Sequence, residues 1–378
     1  METLRTSSYM IPVKLEKEDD KYMLIHGYTG AMDIVGKDLV DYLNSKSTIK
    51  EETFPYSKTV LDKLIKRKYV TSKNRIEEYE YVQKLAFVLR RRALIRNFTI
   101  LVTYNCNFQC PYCFEKDLIQ KSNNDFKYAI SSEMVDRIFN AIDTIEPNKQ
   151  LRNNTISLFG GEPLLEENKN IVKYILTEGN KRGFSFTATT NGYDIDKYKE
   201  FLNENQIKGI QITIDGTKEI HDLRRIHAVY SSSFDRIIEN IQLALNQGVY
   251  VRVRINVDNE NVDTIRNLYV YFKENRFFSY KSFSAYVVLI SGDLNFNPIS
   301  YNNKDNIHSD VEYIKMFTSD SFPMEYETGL YKNVYNAMMQ KKPLSLSPMH
   351  CTALGGSFVF DPFGYIYSCL EMVGKKEQ

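Results

Sequence analysis

The stretch Tyr104-Asn105-Cys106-Asn107-Phe108-Gln109-Cys110-Pro111-Tyr112-Cys113-Phe114 follows directly on the β-rich run Phe98–Thr103. Three of the 5 cysteines fall inside it, and five placed at random would give that spacing in roughly one chain in a thousand. Thiols this close together in a reducing compartment indicate metal binding rather than a disulfide framework. Structural zinc is the competing reading, but it closes on four ligands, commonly from paired Cys-x2-Cys knuckles. Here only Cys110 and Cys113 have knuckle spacing, and no His is near them in sequence. Three thiolates in one loop suit a cubane cluster whose fourth iron lacks a protein ligand.

Outward from this loop the pattern is strand, loop, helix, repeated. Phe98–Thr103, Thr155–Phe159, Phe184–Thr190, Gly209–Ile214, Val249–Val257 and Phe283–Ile290 are β-rich. Helical spacing of apolar residues marks Ser132–Ile145, Asn168–Lys181, Lys197–Asn205, Ser233–Asn246 and Val262–Glu274 between them. Alternation of this kind implies parallel pairing through right-handed crossovers. Six units are fewer than the eight of a closed barrel, so the expected fold is α/β, a partial (β/α)6 barrel. Catalytic loops in such sheets lie at the strand C-terminal ends, where the cysteine loop falls.

Residues 1–95 read as a separate winged-helix-like module, with strands at Tyr22–Ile25 and Ala31–Val35 and helices at Lys37–Asn44, Lys58–Lys68 and Arg75–Arg92. The core is assigned to residues 96–290, a linker or lid to 291–350, and a hairpin-bearing region to 351–378. In the last of these, Phe358–Phe360 and Tyr365–Tyr367 flank an Asp361-Pro362-Phe363-Gly364 turn, with Cys351 and Cys369 outside it.

The 49 basic and 48 acidic side chains nearly cancel, which gives no argument for a nucleic-acid partner. The N-terminus has no signal-peptide core, and the apolar runs are too short to span a bilayer. A cytoplasmic protein without a membrane partner is the expectation.

Further motifs end successive strands. Gly160-Gly161-Glu162-Pro163 closes the second; two glycines let backbone approach a ligand, and a carboxylate can accept from an ammonium group. Thr189-Thr190-Asn191-Gly192 ends the third and reads equally well as an Asn-Gly turn. Asp215-Gly216 ends the fourth, with His221, Asp222 and Arg225 after it. Asp215 is a candidate catalytic group or a turn former, and His221 a structural or substrate-side residue. Arg254 and Asn256 are polar residues in a strand expected to be buried on both faces, and so are candidates for contact with substrate or cofactor.

The Cys-x3-Cys-x2-Cys spacing with Tyr112 before the third cysteine resembles the signature of the radical S-adenosylmethionine superfamily. The resemblance implies that Cys106, Cys110 and Cys113 hold a 4Fe-4S cluster whose open iron chelates S-adenosylmethionine. Reductive cleavage would then give a 5′-deoxyadenosyl radical, with one electron from a donor such as flavodoxin or ferredoxin. It further places Tyr112 near the adenine, Gly160, Gly161 and Glu162 at the methionine amino group, and Thr190 and Asn191 near the ribose. Cys351, Gly364 and Cys369 resemble the opening of a SPASM domain, which binds auxiliary clusters. The family pattern continues with further cysteines, and none follows Cys369 here. Two ligands cannot close a four-iron cluster, so either the sequence is C-terminally truncated, the favoured reading, or the auxiliary site is vestigial.

Members with such a tail modify peptides or proteins. The expected activity is therefore cross-link formation in a ribosomally made peptide. The N-terminal module would recognise a leader by strand pairing, or else merely cap the barrel. The alternatives are formylglycine formation, as in anaerobic sulfatase maturases, and a non-catalytic iron–sulfur redox or regulatory protein.

Overall fold

The computed structural model describes residues 3–16, 18, 20–119, 129–258, 261–289, 325–326, 333–334, 337–339, 341–347, 351, 353 and 355–374. It divides the chain into two compact units. One comprises residues 1–94 together with 328–350; the other comprises 95–327 together with 351–378. Of the linker or lid expected at 291–350, residues 291–324, 327–332, 335–336, 340 and 348–350 lie outside the described residues.

In the first unit, strands β1 (Arg5–Thr6) and β5 (Val70–Thr71) pair antiparallel. Strands β2 (Met10–Lys14), β3 (Lys21–His26) and β4 (Met32–Gly36) form an antiparallel meander. Helices α1 (Lys37–Ser45) and α2 (Lys58–Lys66) send Leu39, Val40, Leu43, Leu61 and Leu64 into a core with Leu24, Tyr69 and Val70. Strand β2 was not among the expected strands, and Pro12 lies in its middle. It is tolerated because β2 is an edge strand, where a missing N–H breaks no ladder. Helix α3 (Arg75–Ala93) starts on a full capping box: Asn74 accepts from the Ile76 and Glu77 amides, and Glu77 accepts from the Asn74 amide. From the C-terminal part of the chain, Leu344 N–H donates to Gly30 O at 2.7 Å in this unit.

The second unit is built on one sheet. Its core strands are β6 (Arg96–Thr103), β7 (Arg152–Gly160), β8 (Ser185–Thr190), β9 (Ile207–Thr213), β10 (Tyr250–Val257) and β11 (Phe283–Leu289). They lie side by side in chain order, all parallel, as in a partial barrel of six parallel strands. Beyond β11 the short β12 (Glu325–Tyr326) adds in parallel. Beyond β6 the expected hairpin, β13 (Ser357–Phe360) and β14 (Ile366–Tyr367), joins the same sheet, β13 running parallel to β6.

Helices α4 (Ser132–Ile145), α5 (Lys169–Lys181), α6 (Lys218–Arg224), α7 (Phe234–Asn246) and α8 (Ile265–Glu274) flank it. The expected helix at Lys197–Asn205 is instead a 3-10 turn at Ile195–Phe201. Asn203 ends it, because its side chain accepts from the Asn205 and Gln206 amides and competes with helical bonding.

Strand β10 carries its polar residues on one face only. Val251, Val253, Ile255 and Val257 enter the helix-side core with Ile210, Ile212, Ala285 and Val287, while Arg252, Arg254 and Asn256 take the opposite, inner face. That inner face also carries Ser157, Thr187, Thr189, Gln211 and Thr213.

Candidate functional site

The cysteine loop leaves the C-terminal end of β6 and is braced on two sides. Toward β7, Gly161 N–H donates to Thr103 O at 3.0 Å and Glu162 N–H to Asn105 O at 2.7 Å. The two glycines are dictated by this packing. A Cβ on Gly160 would stand 2.2 Å from Thr103 O, and one on Gly161 would stand 2.4 Å from Asn105 O. On the other side the segment after α6 pairs with the loop. Gln109 N–H donates to Ile226 O and Ala228 N–H to Asn107 O, both at 2.8 Å, around the Phe108–His227 bridge. Asn191 Nδ2 closes the brace on Asn107 Oδ1 at 2.7 Å.

Glu162 is fully buried and joins β7 to β8. It accepts from Leu164 N–H at 2.8 Å, Thr190 Oγ1 at 2.7 Å and Asn191 N–H at 2.5 Å. Burial pushes its carboxyl up to about 7 against the pull of those three donors. Glu162, Thr190 and Asn191, named separately from the sequence, are thus one hydrogen-bonded group.

Tyr112 is the centre of a second group. Its hydroxyl donates to Asp215, and lies 3.4 Å from Asn256 Nδ2 and 3.5 Å from Arg225 Nη1. Asp215 is completely buried; it accepts also from Asn256 N–H at 3.1 Å, and Arg224 Nε is 3.7 Å away. Burial pushes its carboxyl up, and Arg225, Tyr112, Arg224 and the Asn256 amide pull against that. Both Asp215 oxygens are therefore engaged inside the protein, which makes the residue a strut for Tyr112 and Asn256. Arg254 Nε donates to Asn256 Oδ1 at 2.8 Å on the inner face. His221 is buried with its Nε2 3.1 Å from Ser233 Oγ, and burial holds it well below its ordinary value, so it is neutral and structural.

Sequence reading missed Arg224, Asp258 and Asn261. Arg224 grips Asp258 with two bonds of 3.1 and 2.8 Å, and Asn261 Nδ2 donates to the Asp215 and Asn256 carbonyls. The available signal was the Arg224-Arg225 pair so soon after a strand-ending Asp.

The three thiols lie in or beside the helix-side core, and burial raises each above its ordinary value, Cys113 to about 11. Their protons leave when a metal binds. Among the described residues no three His, Cys, Asp or Glu side chains converge on one metal ion. A cubane makes a different demand, with each thiolate on its own iron. The surroundings fit such a group. Arg225 lies against Cys110 and over the Phe108 ring at 5.4 Å, and its buried Nε has no hydrogen-bond partner among the described residues. An enclosed guanidinium with an unused N–H beside three cysteines suits an anionic occupant. Cys351 is exposed and Cys369 half-buried, both as free thiols.

Residues 100–271 match the family model for the radical SAM superfamily. A cysteine-type anaerobic sulfatase-maturating enzyme of Clostridium novyi is 31% identical over 280 residues, covering 70% of each chain. The chain belongs to the radical SAM superfamily. This radical SAM enzyme is also 22% identical to the radical SAM cyclopropyl synthase TigE of Paramaledivibacter caminithermalis, over 97% of its own length and 79% of that protein's. SuiB of Streptococcus suis shares the fold. Its form bound to S-adenosylmethionine superposes with a TM-score of 0.51 at 15% identity, covering 99% of this chain and 84% of SuiB. Its form bound to the precursor peptide SuiA gives 0.50 at 13%, covering 99% and 85%. Membership brings a 4Fe-4S cluster and S-adenosylmethionine as cofactors. Among the described residues no helix is long and apolar enough to cross a membrane.

Proposed function

We propose that this radical SAM enzyme modifies a ribosomally made peptide, forming a cross-link. In this reading Cys106, Cys110 and Cys113 hold the cluster. Gly160, Gly161, Glu162, Thr190, Asn191, Tyr112 and Asn256 border S-adenosylmethionine, and Arg225 balances negative charge beside Cys110. The bound pair supplies a 5′-deoxyadenosyl radical once a low-potential donor of the flavodoxin or ferredoxin type delivers one electron. The chain's own part is to hold that edge rigid through Glu162 and Asp215, to exclude water, and to present the substrate.

The observation that carries the peptide reading is the polar inner face of the sheet, running from the site down β8, β9 and β10. Such a surface can hydrogen-bond an extended backbone. SuiB takes a precursor peptide on the same fold. In the first unit the outer edges of β2 and β4 pair with no other strand among the described residues, which suits strand addition by a leader. In this reading Cys351 and Cys369 are ligands to an auxiliary cluster. The Clostridium novyi relative favours formylglycine formation as the second reading.

Co-expression with candidate short precursor peptides, followed by mass spectrometry, tests this. A cross-link removes two hydrogens. A Cys converted to an aldehyde supports the second reading, and an unmodified peptide overturns the first.

A further inference from the structure

Tyr112 lies between Cys110 and Cys113, in a turn closed by Cys113 N–H on Cys110 O at 3.2 Å. Its hydroxyl donates to Asp215, with Asn256 Nδ2 and Arg225 Nη1 at 3.4 and 3.5 Å. Those contacts fix the far end of the ring and leave one freedom. The hydroxyl oxygen lies on the axis that runs from Cβ through the ring, so a bond made to it does not resist rotation about χ2, a torsion that is broad of itself. Only a partner on the face of the ring can hold that rotation.

Arg224 is such a partner. Its guanidinium carbon lies 5.2 Å from the centre of the Tyr112 ring, within cation–π range. The guanidinium is itself aimed: Nη1 and Nη2 donate to the two Asp258 oxygens at 3.1 and 2.8 Å, and Nε stands 3.7 Å from Asp215 Oδ2. Asp258 is set in turn by its amide, which donates to Asn261 Oδ1 at 2.9 Å, while Asn261 Nδ2 donates to the Asp215 and Asn256 carbonyls. Only 8% of the Arg224 side chain is exposed, so water screens these contacts little. Arg224 is the last residue of α6 and Asp258 the first after β10, so the pair joins the ends of two βα units to the cysteine loop. A planar fork that also offers a face does both tasks at once, which a lysine ammonium cannot.

We propose that Arg224, aimed by Asp258, is a positioning residue for S-adenosylmethionine that acts through Tyr112. It sets the rotation of the ring, and so the aromatic surface that Tyr112 offers to the cofactor. The inference rests on the reading above that Tyr112 borders S-adenosylmethionine. With all these contacts made Tyr112 is still only half-buried, which leaves part of it for a ligand.

The test uses the anaerobically reconstituted enzyme. Equilibrium dialysis gives the Kd for S-adenosylmethionine, and 5′-deoxyadenosine release under dithionite gives kcat and KM separately. Arg224→Gln is expected to raise Kd and KM about tenfold, with kcat within about threefold of wild type. Arg224→Lys keeps the charge without the two-bond fork and should recover part of the affinity. Asp258→Asn should fall between wild type and Arg224→Gln. Tyr112→Leu removes the ring, and adding Arg224→Gln to it should weaken binding no further. Should Arg224→Gln not fold, Arg224→Lys and Asp258→Asn carry the same comparison. A lower melting temperature in Arg224→Gln with wild-type Kd and KM would make the pair a staple between the two βα units, and overturns the proposal. So does a further loss of affinity in the double variant, which would put the arginine on the cofactor itself. Unchanged Kd in Tyr112→Leu removes the reading of Tyr112 at the cofactor, and the proposal with it. Weaker binding in Tyr112→Leu but not in Arg224→Gln keeps that reading and removes the positioning role alone.

Discussion

Tyr104 and Asp361, 257 positions apart in the chain, share a buried hydrogen bond of 2.9 Å. Asp361 is the first residue of the hairpin turn and also accepts from the Phe363 and Tyr365 amides at 2.9 and 2.8 Å. Tyr104 lies two residues before Cys106, and its ring stacks on Phe363 at 5.9 Å. The C-terminal hairpin and the cluster loop are therefore one packed element, joined through a carboxylate that collects several donors.

Removing that carboxylate strands its donors. Asp361→Ala is expected to cost about 3 kcal/mol, and Tyr104→Phe about 1–2 kcal/mol because Asp361 keeps its amide partners. Thermal melting ranks the two variants. In Asp361→Ala, hydrogen exchange should quicken in both the hairpin and residues 104–113. Faster exchange in the hairpin alone would separate the two elements.

Gly161→Ala is expected to be among the most damaging small substitutions in the chain. Its Cβ would stand 2.4 Å from Asn105 O and 2.6 Å from Tyr104 O, and backbone cannot swing aside as a flexible side chain can. The loop must shift, which moves Cys106. We expect a melting temperature lower by roughly 10 °C and reconstituted iron content well below half of wild type. Wild-type iron loading would show that the loop absorbs the methyl group.

The six core strands were legible because Val251, Val253, Ile255 and Val257, like Ile210 and Ile212, alternate along runs bounded by turns. Among the polar alternates, Arg254 and Asn256 stood out against the burial expected of a parallel strand, which marked them as candidates for contact with substrate or cofactor. The cysteine trio and Gly160–Glu162 announced themselves by local spacing. The Arg224–Asp258 pair did not, because its partners are brought together only by the turn of the chain at the ends of β9 and β10. Strand β2 is harder to read from sequence, since Pro12 is disfavoured in a strand unless that strand lies at an edge, and edges are set by tertiary structure.

Glu162→Gln preserves shape and removes the charge that holds β7 to β8. A glutamine amide offers one oxygen where three donors now converge, and it points an N–H at another N–H. The expected loss is about 2–4 kcal/mol, with weaker S-adenosylmethionine binding by equilibrium dialysis. Unchanged stability would mean that the carboxyl is protonated in the native protein, which its upward shift to about 7 permits near neutral pH.

Cys110→Ala separates the cluster from the fold. Cys110 is buried against the helix-side core, and alanine leaves only a small void, so the variant should fold with a stability loss of about 1 kcal/mol. Two thiols remain for a cluster that needs three from the loop. Iron per chain should fall to a small fraction of wild type, and 5′-deoxyadenosine should be undetectable under strong reductant. Retained cofactor cleavage would remove the cysteine trio from its assigned role.

His26 supplies the clearest pH effect. It is completely buried between Tyr28 and Tyr69, with Ser7 Oγ 3.0 Å from Nε2 and Thr29 Oγ1 3.0 Å from Nδ1. Burial lowers its pKa to about 4, against the attraction of Glu78. The unfolded chain takes up a proton near pH 6.5 that the folded chain refuses until about pH 4, so stability is full at neutral pH and falls as pH drops through that window. The fall between pH 7 and 5 is expected to be about 2 kcal/mol from this residue. His221 and His227, also held down by burial, add to the same slope. Burial pushes the Glu78 carboxyl up, but Ser7, the Ser8 amide and Arg5 outweigh that and hold it below its ordinary value, so its contribution is lost only at lower pH. Melting temperatures of wild type and His26→Gln across pH 7 to 5 isolate the His26 part. The variant should start lower at pH 7 and decline less steeply, and parallel declines would show that His26 stays neutral in both states.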